Sequence, residues 1–226
     1  YGLNFVNSET REVTHMAKND QNAFIKDDDI YDIKQVGNRV VIATELGISV
    51  VKKSPYGRFI QESHPQLEQL NVHVYDLLPK DSSSFFFSFG GQLHQYNLNE
   101  KALQSWMFDI EKEAGIANSY CIEQVEQDLI FIGTSHGLFR FDLRRNYWDR
   151  FLHKQDDTAS ISGNDVYALD YDRFGRLWVG TANGLDVLDD PFSNDAKFEF
   201  VGTGEKKTIY SINNTQNYAF VGTGNG

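Results

Sequence analysis

The hydrophobic pattern of the chain is that of many short β-strands rather than of helices. An apolar run from Val166 to Tyr171 precedes the turn sequence Asp172 to Gly175, and a second run, Arg176 to Thr181, precedes the turn Ala182 to Gly184. Asp in the first and Gly in the fourth position favour a tight turn, and Asn-Gly tolerates the positive φ that a tight hairpin requires. No segment keeps a 3.6-residue period over three turns, which argues against a solenoid of helices.

This strand-turn-strand unit recurs with a period close to 45 residues. A Gly-Leu pair or its equivalent follows the second turn of each unit. The first residues of successive pairs are 45, 45, 45, 47 and 42 positions apart. These positions are Gly2, Gly47, Gln92, Gly137, Gly184 and Gly226. A Tyr lies 16 or 17 residues before each of the last five, at Tyr31, Tyr75, Tyr120, Tyr167 and Tyr210. Two independent landmarks with one period identify a repeat protein.

Each repeat predicts four antiparallel strands, the last of them short and aromatic. Such a sheet, repeated radially, is the blade of a β-propeller. We therefore predict an all-β fold, with a single β-propeller domain over residues 1–226. The predicted four-stranded blades cover about residues 30–60, 72–108, 118–151 and 165–201, and a composite or split blade from 209–223 plus 2–15 gives about five blade equivalents. Closure into a five-bladed ring and an arc of a larger propeller both remain open.

Blades that stack face to face bury both sides of their middle strands. This explains uninterrupted apolar runs such as Phe85 to Phe87 and Leu129 to Ile132. The position before the repeated Thr is small in every copy: Ala43, Ser88, Gly133, Gly180 and Gly222. We expect the missing side chain to let a neighbouring blade pack close, with the repeated Tyr as the candidate for that contact.

Composition narrows the range of partners. The formal net charge is −11 and no long Lys/Arg cluster is present, which argues against binding nucleic acid. Neither a signal peptide nor an apolar run of membrane-spanning length is visible, so no membrane contact is expected of this segment. Cys121 lies in an alternating strand pattern and is expected to be a small buried hydrophobe. Because the chain begins at Tyr1 and stops at Gly226 within the repeat motif, it is expected to be a segment of a longer protein.

Motifs for cofactors and catalysis are weak. Gly202 to Thr208 resembles a phosphate loop, but it lacks the second Gly before Lys and precedes a strand rather than a helix. Asp170 to Gly175 resembles the start of a calcium loop, but no closing Glu follows at the required distance. The His residues do not have zinc-site spacing, and a Gly-x-Ser-x-Gly elbow is missing. We therefore assign no catalytic residue, no metal ligand and no cofactor.

The unit at residues 165–190 resembles the two-component regulator propeller repeat. That repeat runs as an apolar strand, Asp-x-x-Gly-x-Leu-Trp-apolar-Gly-Thr and then Gly-Leu, and Trp178 fills its Trp position. Residues 129–143 match the second half, with Phe131 in place of the Trp, and residues 85–96 match least well. The resemblance covers essentially the whole chain through one strong copy, one good copy and three weak copies.

The resemblance implies a sensory module of a bacterial transmembrane signalling protein. Such propellers form the periplasmic part of an inner-membrane receptor, often sense a carbohydrate, and act as a homodimer through the full-length protein. A histidine kinase or diguanylate cyclase output domain would lie elsewhere. The family has no set of catalytic residues to transfer, so this segment is not expected to be an enzyme.

Blade geometry predicts where a ligand would bind. The loop that enters the first strand and the turn between the second and third strands lie on one face of a propeller. The candidate ligand-binding residues on that face are Asp29, His73, His136, Asn164, Asp165 and Asn183. Clustered Asn, Asp and His would suit hydrogen bonding to a small molecule such as a sugar.

Two other function classes remain open. A carbohydrate-active propeller enzyme, either a glycosidase or a lyase, would use carboxylates from the first strands of different blades. The candidates are Asp32, Asp76, Glu123 and Asp170. A protein–protein interaction scaffold is the third class.

Overall fold

The computed structural model describes residues 2–21, 23–55, 58–108, 118–202 and 207–224, which form two compact units. Antiparallel strands make up nearly all of the regular structure in these ranges. No helix in this part of the chain is long and apolar enough to cross a membrane.

The first unit, Tyr1–Met107, holds one two-stranded and two four-stranded sheets. The elements are β1 (Leu3–Val6), β2 (Val13–Met16), β3 (Ile30–Val36), β4 (Arg39–Thr44), β5 (Gly47–Lys53), β6 (Phe59–Gln61), the single-turn helix α1 (Pro65–Glu68), β7 (Leu77–Pro79), β8 (Ser84–Phe89), β9 (Gln92–Asn97) and β10 (Ala102–Met107). The three sheets are formed by β1–β2, β3–β6 and β7–β10, and in each of them strands that follow one another in the chain are hydrogen-bonded neighbours.

The second unit, Phe108–Gly226, repeats the same arrangement with two four-stranded sheets and one two-stranded sheet. The strands are β11 (Ser119–Val125), β12 (Leu129–Thr134), β13 (Gly137–Asp142), β14 (Tyr147–Phe151), β15 (Val166–Tyr171), β16 (Leu177–Thr181), β17 (Gly184–Leu188), β18 (Phe198–Val201), β19 (Ile209–Asn214) and β20 (Ala219–Thr223). The sheets are formed by β11–β14, β15–β18 and β19–β20.

These sheets confirm the predicted four-stranded blades, with one shift of boundary. The blade predicted to begin at residue 72 has its first strand, β7, only from Leu77 onward. Before β7, Val74 donates its backbone N–H to the Thr44 carbonyl of the preceding blade, 3.2 Å away, and the ladder with β8 begins at Leu77. The composite blade from 209–223 plus 2–15 combines segments of both units and stays a prediction.

Both faces of the middle strands are buried, as predicted for stacked blades. In β4, Val41 and Ala43 belong to a core shared with Phe85 and Phe87 of the next blade, whereas Ile42 on the opposite face packs in a separate core with Leu3. In the second unit, Phe131 and Val179 of successive blades share one core. Cys121 is buried in that same core, as expected.

The small position before the repeated Thr is a close-packing point between blades. A Cβ added to Gly133 would contact Sγ of Cys121 in the same blade, and it would lie 2.7 Å from the Val166 carbonyl oxygen and 2.8 Å from Val166 Cγ1 in the next blade. A Cβ on Gly180 would lie 2.7 Å from Cγ2 of Ile209. The expectation that the repeated Tyr makes this contact is wrong, because the approaching side chain is the aliphatic residue immediately before that Tyr.

The repeated Tyr instead lies at a β-bulge in the first strand. In β3, Ile30 pairs with Thr44 and Asp32 pairs with Ala43, so the register shifts across Tyr31. The same shift occurs across Tyr120, Tyr167 and Tyr210 in β11, β15 and β19. A bulge redirects the side chain of the inserted residue, and bulges are common beside functional sites.

Candidate functional site

The loop that enters β3, β11, β15 or β19 is hydrogen-bonded to the turn that follows the second strand of the same blade. Glu45 donates its backbone N–H to the Asp29 carbonyl at 3.1 Å, and Ala182 donates to the Asp165 carbonyl at 2.9 Å. Equivalent bonds run from Ser135 to Asn118 at 2.9 Å and from Gly224 to Thr208 at 3.1 Å. The predicted pairing of these two loops on one face is therefore present in the structure of each unit.

The repeated Thr and Gly shape the turn that carries the candidate residues. Thr134 Oγ1 accepts the His136 backbone N–H at 3.0 Å and donates to the Gly137 carbonyl at 2.8 Å. Gly137 has a φ of +105°, a conformation that favours glycine. The same pattern in Thr181 to Gly184 confirms the hairpin turn predicted for Ala182 to Gly184.

The repeated tyrosines of successive blades form a tilted stack within each unit, with interplanar angles of 38–44°. Four of them lie at the bulges, whereas Tyr75 precedes β7. The ring centroids of Tyr31 and Tyr75 are 4.6 Å apart, those of Tyr120 and Tyr167 are 4.9 Å apart, and those of Tyr167 and Tyr210 are 5.3 Å apart. Tyr31 and Tyr210 remain 41% and 58% exposed. The stack is therefore an aromatic surface that a ligand can reach.

In the first unit, two predicted site residues join this aromatic surface. His73 Nδ1 lies 3.3 Å from the Tyr75 hydroxyl, and its Nε2 lies 3.5 Å from Oε1 of Glu45. Glu45 is tied in turn to Asp29 by the backbone bond described above. We call Asp29, Tyr31, Glu45, His73 and Tyr75 the Tyr31 face.

The Tyr31 face is acidic at one end. Oxygen atoms of Asp27, Asp29 and Glu45 lie within 4.8 Å of one another, and among the described residues this is the carboxylate group that could hold a cation. Carboxylates are the ligands that Ca²⁺ prefers. The Lys18 ammonium lies 2.6 Å from Asp27, however, and this hydrogen bond lowers the pKa of the Asp27 carboxyl. The Lys18 ammonium therefore already neutralises one of the three carboxylates that would bind a metal cation.

The same surroundings disfavour ionisation of the Tyr31 hydroxyl. Burial raises the pKa of Tyr31, and the nearby Tyr75, Glu45 and Asp29 raise it further. A neutral phenol can donate a hydrogen bond while its ring stacks on an apolar face. The Tyr31 face therefore offers one stacking surface together with neutral and acidic hydrogen-bonding groups.

In the second unit, the predicted residues mostly hold the loops together. The Asn164 side-chain oxygen accepts the His153 backbone N–H at 2.7 Å, and the Asn183 amide donates to the Ser162 carbonyl at 3.2 Å. His136 Nδ1 lies 2.8 Å from the Ser135 hydroxyl. Asp165 contributes its carbonyl to the loop-turn bond. A ligand role for these four residues stays a prediction.

Two carboxylates considered for an enzyme are used between blades. Oδ2 of Asp32 accepts the Leu77 backbone N–H at 3.0 Å, and Oδ2 of Asp170 accepts the Asn214 backbone N–H at 2.6 Å. Each bond joins the first strand of one blade to the first strand of the next. This places two of the four candidate acids in a structural role.

The Asp172 turn has a structural explanation as well. Oδ1 of Asp172 accepts the backbone N–H groups of Phe174 and Arg176 at 2.8 and 3.0 Å, and Oδ2 accepts the Trp178 indole N–H at 2.8 Å. These bonds occupy the carboxylate within the hairpin, as expected for a turn rather than a calcium loop. Residues 203–206 of the phosphate-loop-like segment lie outside the described residues.

Sequence reasoning missed Glu45 and the role of the tyrosines. Glu45 occupies the turn position where the other blades have Ser135 and Ala182, so a carboxylate there is a deviation from the repeat that the sequence could have shown. The tyrosines were recognised as landmarks but assigned to packing. Only the bulge in the structure shows why they stack along the face.

Comparison with known structures agrees with this architecture. The chain is similar to an extracellular domain assigned to a hybrid two component system of B. thetaiotaomicron, with a TM-score of 0.70 and 19% identity over 98% of this chain and 29% of that chain. An extracellular domain assigned to a one component system of the same organism gives a TM-score of 0.67 and 16% identity, over 90% of this chain and 26% of that chain. Virginiamycin B lyase from Staphylococcus aureus gives 0.63 and 9%, over 92% of this chain and 66% of that chain.

The chain is therefore a β-propeller built from four-stranded antiparallel blades. The model of the two component regulator propeller family matches residues 160–183, which confirms the resemblance drawn from the repeats. No curated protein matches the chain by sequence. The chain spans less than a third of the length of the two extracellular domains to which it is similar.

Proposed function

We propose that this propeller is the ligand-sensing part of an extracytoplasmic, two-component-type receptor, and that it binds a carbohydrate on the Tyr31 face. The family match and the fold similarity to extracellular domains support the receptor class. The periplasmic location and a homodimer formed through the full-length receptor belong to the same proposal. The segment acts by binding and not by catalysis.

The observation that carries the proposal is the combination of neighbouring aromatic rings and polar groups. The ring centroids of Tyr31 and Tyr75 lie 4.6 Å apart at an interplanar angle of 38°, and beside them His73 Nε2 and Glu45 Oε1 lie 3.5 Å from each other. The apolar face of a sugar ring can stack on an aromatic side chain, while its hydroxyl groups both donate and accept hydrogen bonds. Imidazole and carboxylate groups supply complementary partners for those hydroxyls.

The negative charge at the Tyr31 face determines which class of carbohydrate fits. The carboxylates of Asp27, Asp29 and Glu45 cluster at this face, and the formal net charge of the chain is −11. Both features repel a polyanionic glycan. The ligand that fits is a neutral oligosaccharide.

The test is calorimetric titration of the chain with neutral trisaccharides, for which cellotriose, maltotriose and xylotriose are suitable probes. We expect saturable binding of at least one, and a loss of roughly tenfold or more in affinity for Tyr31→Ala and for His73→Ala, because each removes a direct contact. Tyr147→Ala is the matched control. Tyr147 is 58% exposed on β14 and lies outside the Tyr31 face.

Binding that is unchanged in both Tyr31→Ala and His73→Ala would contradict the proposed site. Saturable binding of none of the three trisaccharides would contradict the proposed ligand class. A heparin-type polyanion that binds more tightly than every neutral probe would contradict the charge argument.

The enzyme alternative is tested in the same samples. Similarity to a lyase propeller shows that this fold can carry an active site, but fold similarity does not establish activity. Chromatography of each trisaccharide after long incubation should show no cleavage product. If the chain cleaves a trisaccharide and a substitution of Asp76 or Glu123 abolishes that cleavage, the segment is an enzyme and the sensor proposal is wrong.

A further inference from the structure

A lysine from a neighbouring loop reaches the acidic end of the Tyr31 face. Lys18 follows β2, and its backbone N–H donates to Oδ1 of Asp28 at 2.6 Å. Its ammonium group donates to Oδ2 of Asp27, also at 2.6 Å. Asp27 and Asp28 belong to the loop that enters β3, so two hydrogen bonds hold Lys18 in place, one from its backbone and one from the end of its side chain.

Asp27 connects Lys18 to the Tyr31 face. The Asp27 side chain is buried, and while its Oδ2 accepts from Lys18, its Oδ1 accepts the Asp29 backbone N–H at 3.0 Å. The Asp29 carbonyl in turn accepts the Glu45 backbone N–H at 3.1 Å. Burial of a carboxylate is tolerated only when such partners compensate its charge. The Lys18–Asp27 pair is therefore part of the structure that carries the Asp29 and Glu45 side chains.

The charge of Lys18 matters because carboxylates crowd this end of the face. One oxygen atom from each of Asp27, Asp29 and Glu45 lies within 4.8 Å of the other two. Carboxylates this close repel one another, and each is stabilised by a nearby cation. The hydrogen bond to Asp27 raises the pKa of the Lys18 ammonium, and the charges of the three aspartates at 27–29 raise it further. Lys18 is therefore a positive charge that the acidic group itself retains.

Without Lys18, the same oxygens would suit a divalent cation. Ca²⁺ is bound by about six to eight oxygen ligands at about 2.3–2.6 Å, and carbonyls and water complete a site that has few carboxylates. With Lys18 in place, both oxygens of Asp27 already accept hydrogen bonds. A metal ion would also have to approach an ammonium group that is tethered to the chain, and like charges at short distance repel. The acidic group therefore already has its cation.

We propose that Lys18 is a specificity-determining residue of the Tyr31 face. It supplies the positive charge that the acidic group needs, and it thereby excludes divalent metal ions from the face. A carbohydrate is then bound by the aromatic rings, the imidazole and the carboxylates directly, without a bridging Ca²⁺ ion. This inference deepens the proposed function, on which its carbohydrate part rests, whereas its metal part concerns the chain alone.

A purely structural role for Lys18 leads to a different expectation. If Lys18 only connects the loop after β2 to the loop that enters β3, its removal weakens the binding of every ligand on the face and creates affinity for none. A role in charge selection instead predicts that removal of the ammonium creates affinity for a cation. A loosened loop does not produce such a gain, so the two roles can be separated by measurement.

The experiment is a titration of the wild type and of Lys18→Met with CaCl₂, followed by calorimetry, and with TbCl₃, followed by luminescence. Met is similar to Lys in length but has no charge. We expect Lys18→Met to bind Ca²⁺ about tenfold more tightly than the wild type, because the substitution frees one oxygen of Asp27 and removes the repelling charge. Excitation of Tyr31 and Tyr75, whose rings belong to the same face, should sensitise the emission of Tb³⁺ bound there.

Three further variants separate the charge of Lys18 from its other contributions. Lys18→Arg keeps the positive charge and should bind Ca²⁺ no more tightly than the wild type. Asp27→Asn added to Lys18→Met removes one of the three carboxylates and should abolish the gain. Lys197→Met is the matched control, because Lys197 pairs with the single carboxylate of Asp195 at 3.2 Å in the second unit. It should leave the Ca²⁺ affinity unchanged.

A second measurement connects the metal titrations to the proposed function. The trisaccharide that the wild type binds should have the same affinity in excess Ca²⁺ and in excess EDTA, because no metal ion takes part in the contact. If no trisaccharide binds, the proposed function is contradicted, and the metal titrations still decide the role of Lys18 by themselves.

Three results would overturn the proposal. The first is that the wild type binds Ca²⁺ as tightly as Lys18→Met does. The second is that the gain in Lys18→Met persists when Asp27→Asn is added, since the metal ion is then bound elsewhere. The third is a trisaccharide affinity that EDTA abolishes and Ca²⁺ restores.

Discussion

At the scale of single residues, Gly133 shows that a repeat can require glycine for packing alone. Its φ is not in the left-handed region, yet a Cβ at this position would collide with Val166 of the next blade. The equivalent residue of the first blade is Ala43, which is fully buried, so that blade boundary accommodates one methyl group. The required size of this side chain is therefore set separately at each boundary by the neighbouring strand.

Gly133→Ala is expected to destabilise the second unit by about 1–3 kcal/mol, since the added methyl group meets backbone and side-chain atoms that cannot both move away. The measurement is the midpoint of urea denaturation. Gly90→Ala measures the cost of backbone strain without a clash, because Gly90 has a φ of +58° that disfavours any side chain but no atom within 4 Å of an added Cβ. If Gly133→Ala leaves the midpoint of the wild type unchanged, the packing explanation is disproved.

His94 links stability to pH. Its ring packs against both Phe87 and Phe89 at centroid distances of 5.0 and 4.4 Å, and its Nδ1 lies 2.8 Å from the Ser105 hydroxyl. Burial lowers the pKa of His94 from 6.5 to about 4. The unfolded chain therefore binds a proton below pH 6.5 that the folded chain binds only near pH 4, and the stability falls as the pH decreases through this range.

The loss attributable to His94 between pH 7 and pH 4 is on the order of 3 kcal/mol. We expect His94→Gln to have a smaller decrease in unfolding free energy over this range, although its stability at pH 7 is lower. Burial also lowers the pKa of His64, so part of the dependence remains in the variant. Parallel stability curves for the wild type and His94→Gln between pH 4 and pH 7 would contradict this assignment.

At the scale of strands, the sequence predicted the number and order of elements well. Glycines with positive φ, such as Gly137 and Gly184, and the Asp172 turn mark the hairpins directly in the sequence, so the strand boundaries between them follow. The late start of β7 did not follow, because it depends on a hydrogen bond from Val74 to the preceding blade. Local periodicity contains no information about such a contact.

The β-bulges are a second feature that the local sequence pattern did not predict. A one-residue shift in register reverses the side of the sheet on which a side chain lies. The pattern around Tyr31 therefore predicted a packed aromatic residue, whereas in the structure Tyr31 is partly exposed and its ring is tilted against that of Tyr75. The candidate face could be predicted from blade geometry. The joining of Asp29 and His73 through Glu45 could not, because it depends on side-chain distances between blades.

At the scale of the whole molecule, each unit contains a hydrogen bond between the first strands of two successive blades. Asp32 in β3 accepts from Leu77 in β7, and Asp170 in β15 accepts from Asn214 in β19. The two bonds join residues that are 45 and 44 positions apart, which is the period of the repeat. Carboxylates that looked like candidate acids in the sequence are thus part of the architecture within each unit.

Asp170→Ala is expected to loosen β19 and β20, because it leaves the Asn214 N–H without its acceptor at a cost of about 1–3 kcal/mol. Hydrogen–deuterium exchange should show faster exchange confined to these two strands. Burial raises the pKa of Asp170, which shows that its ionised form is costly here. Asp170→Asn keeps an acceptor oxygen without the charge, so its exchange should remain close to that of the wild type.

Asp189→Ala, in the exposed loop after β17, serves as the control and should leave exchange in β19 and β20 unchanged. If Asp170→Asn loosens these strands as much as Asp170→Ala does, the charge itself is required, and a role beyond the bond to Asn214 must be assigned to it. If neither variant loosens them, aliphatic packing such as that of Ile209 against Gly180 holds the strands together, and the carboxylate does not. The expected order, with Ala strongly affected and Asn nearly unaffected, is specific to a hydrogen-bond acceptor between blades.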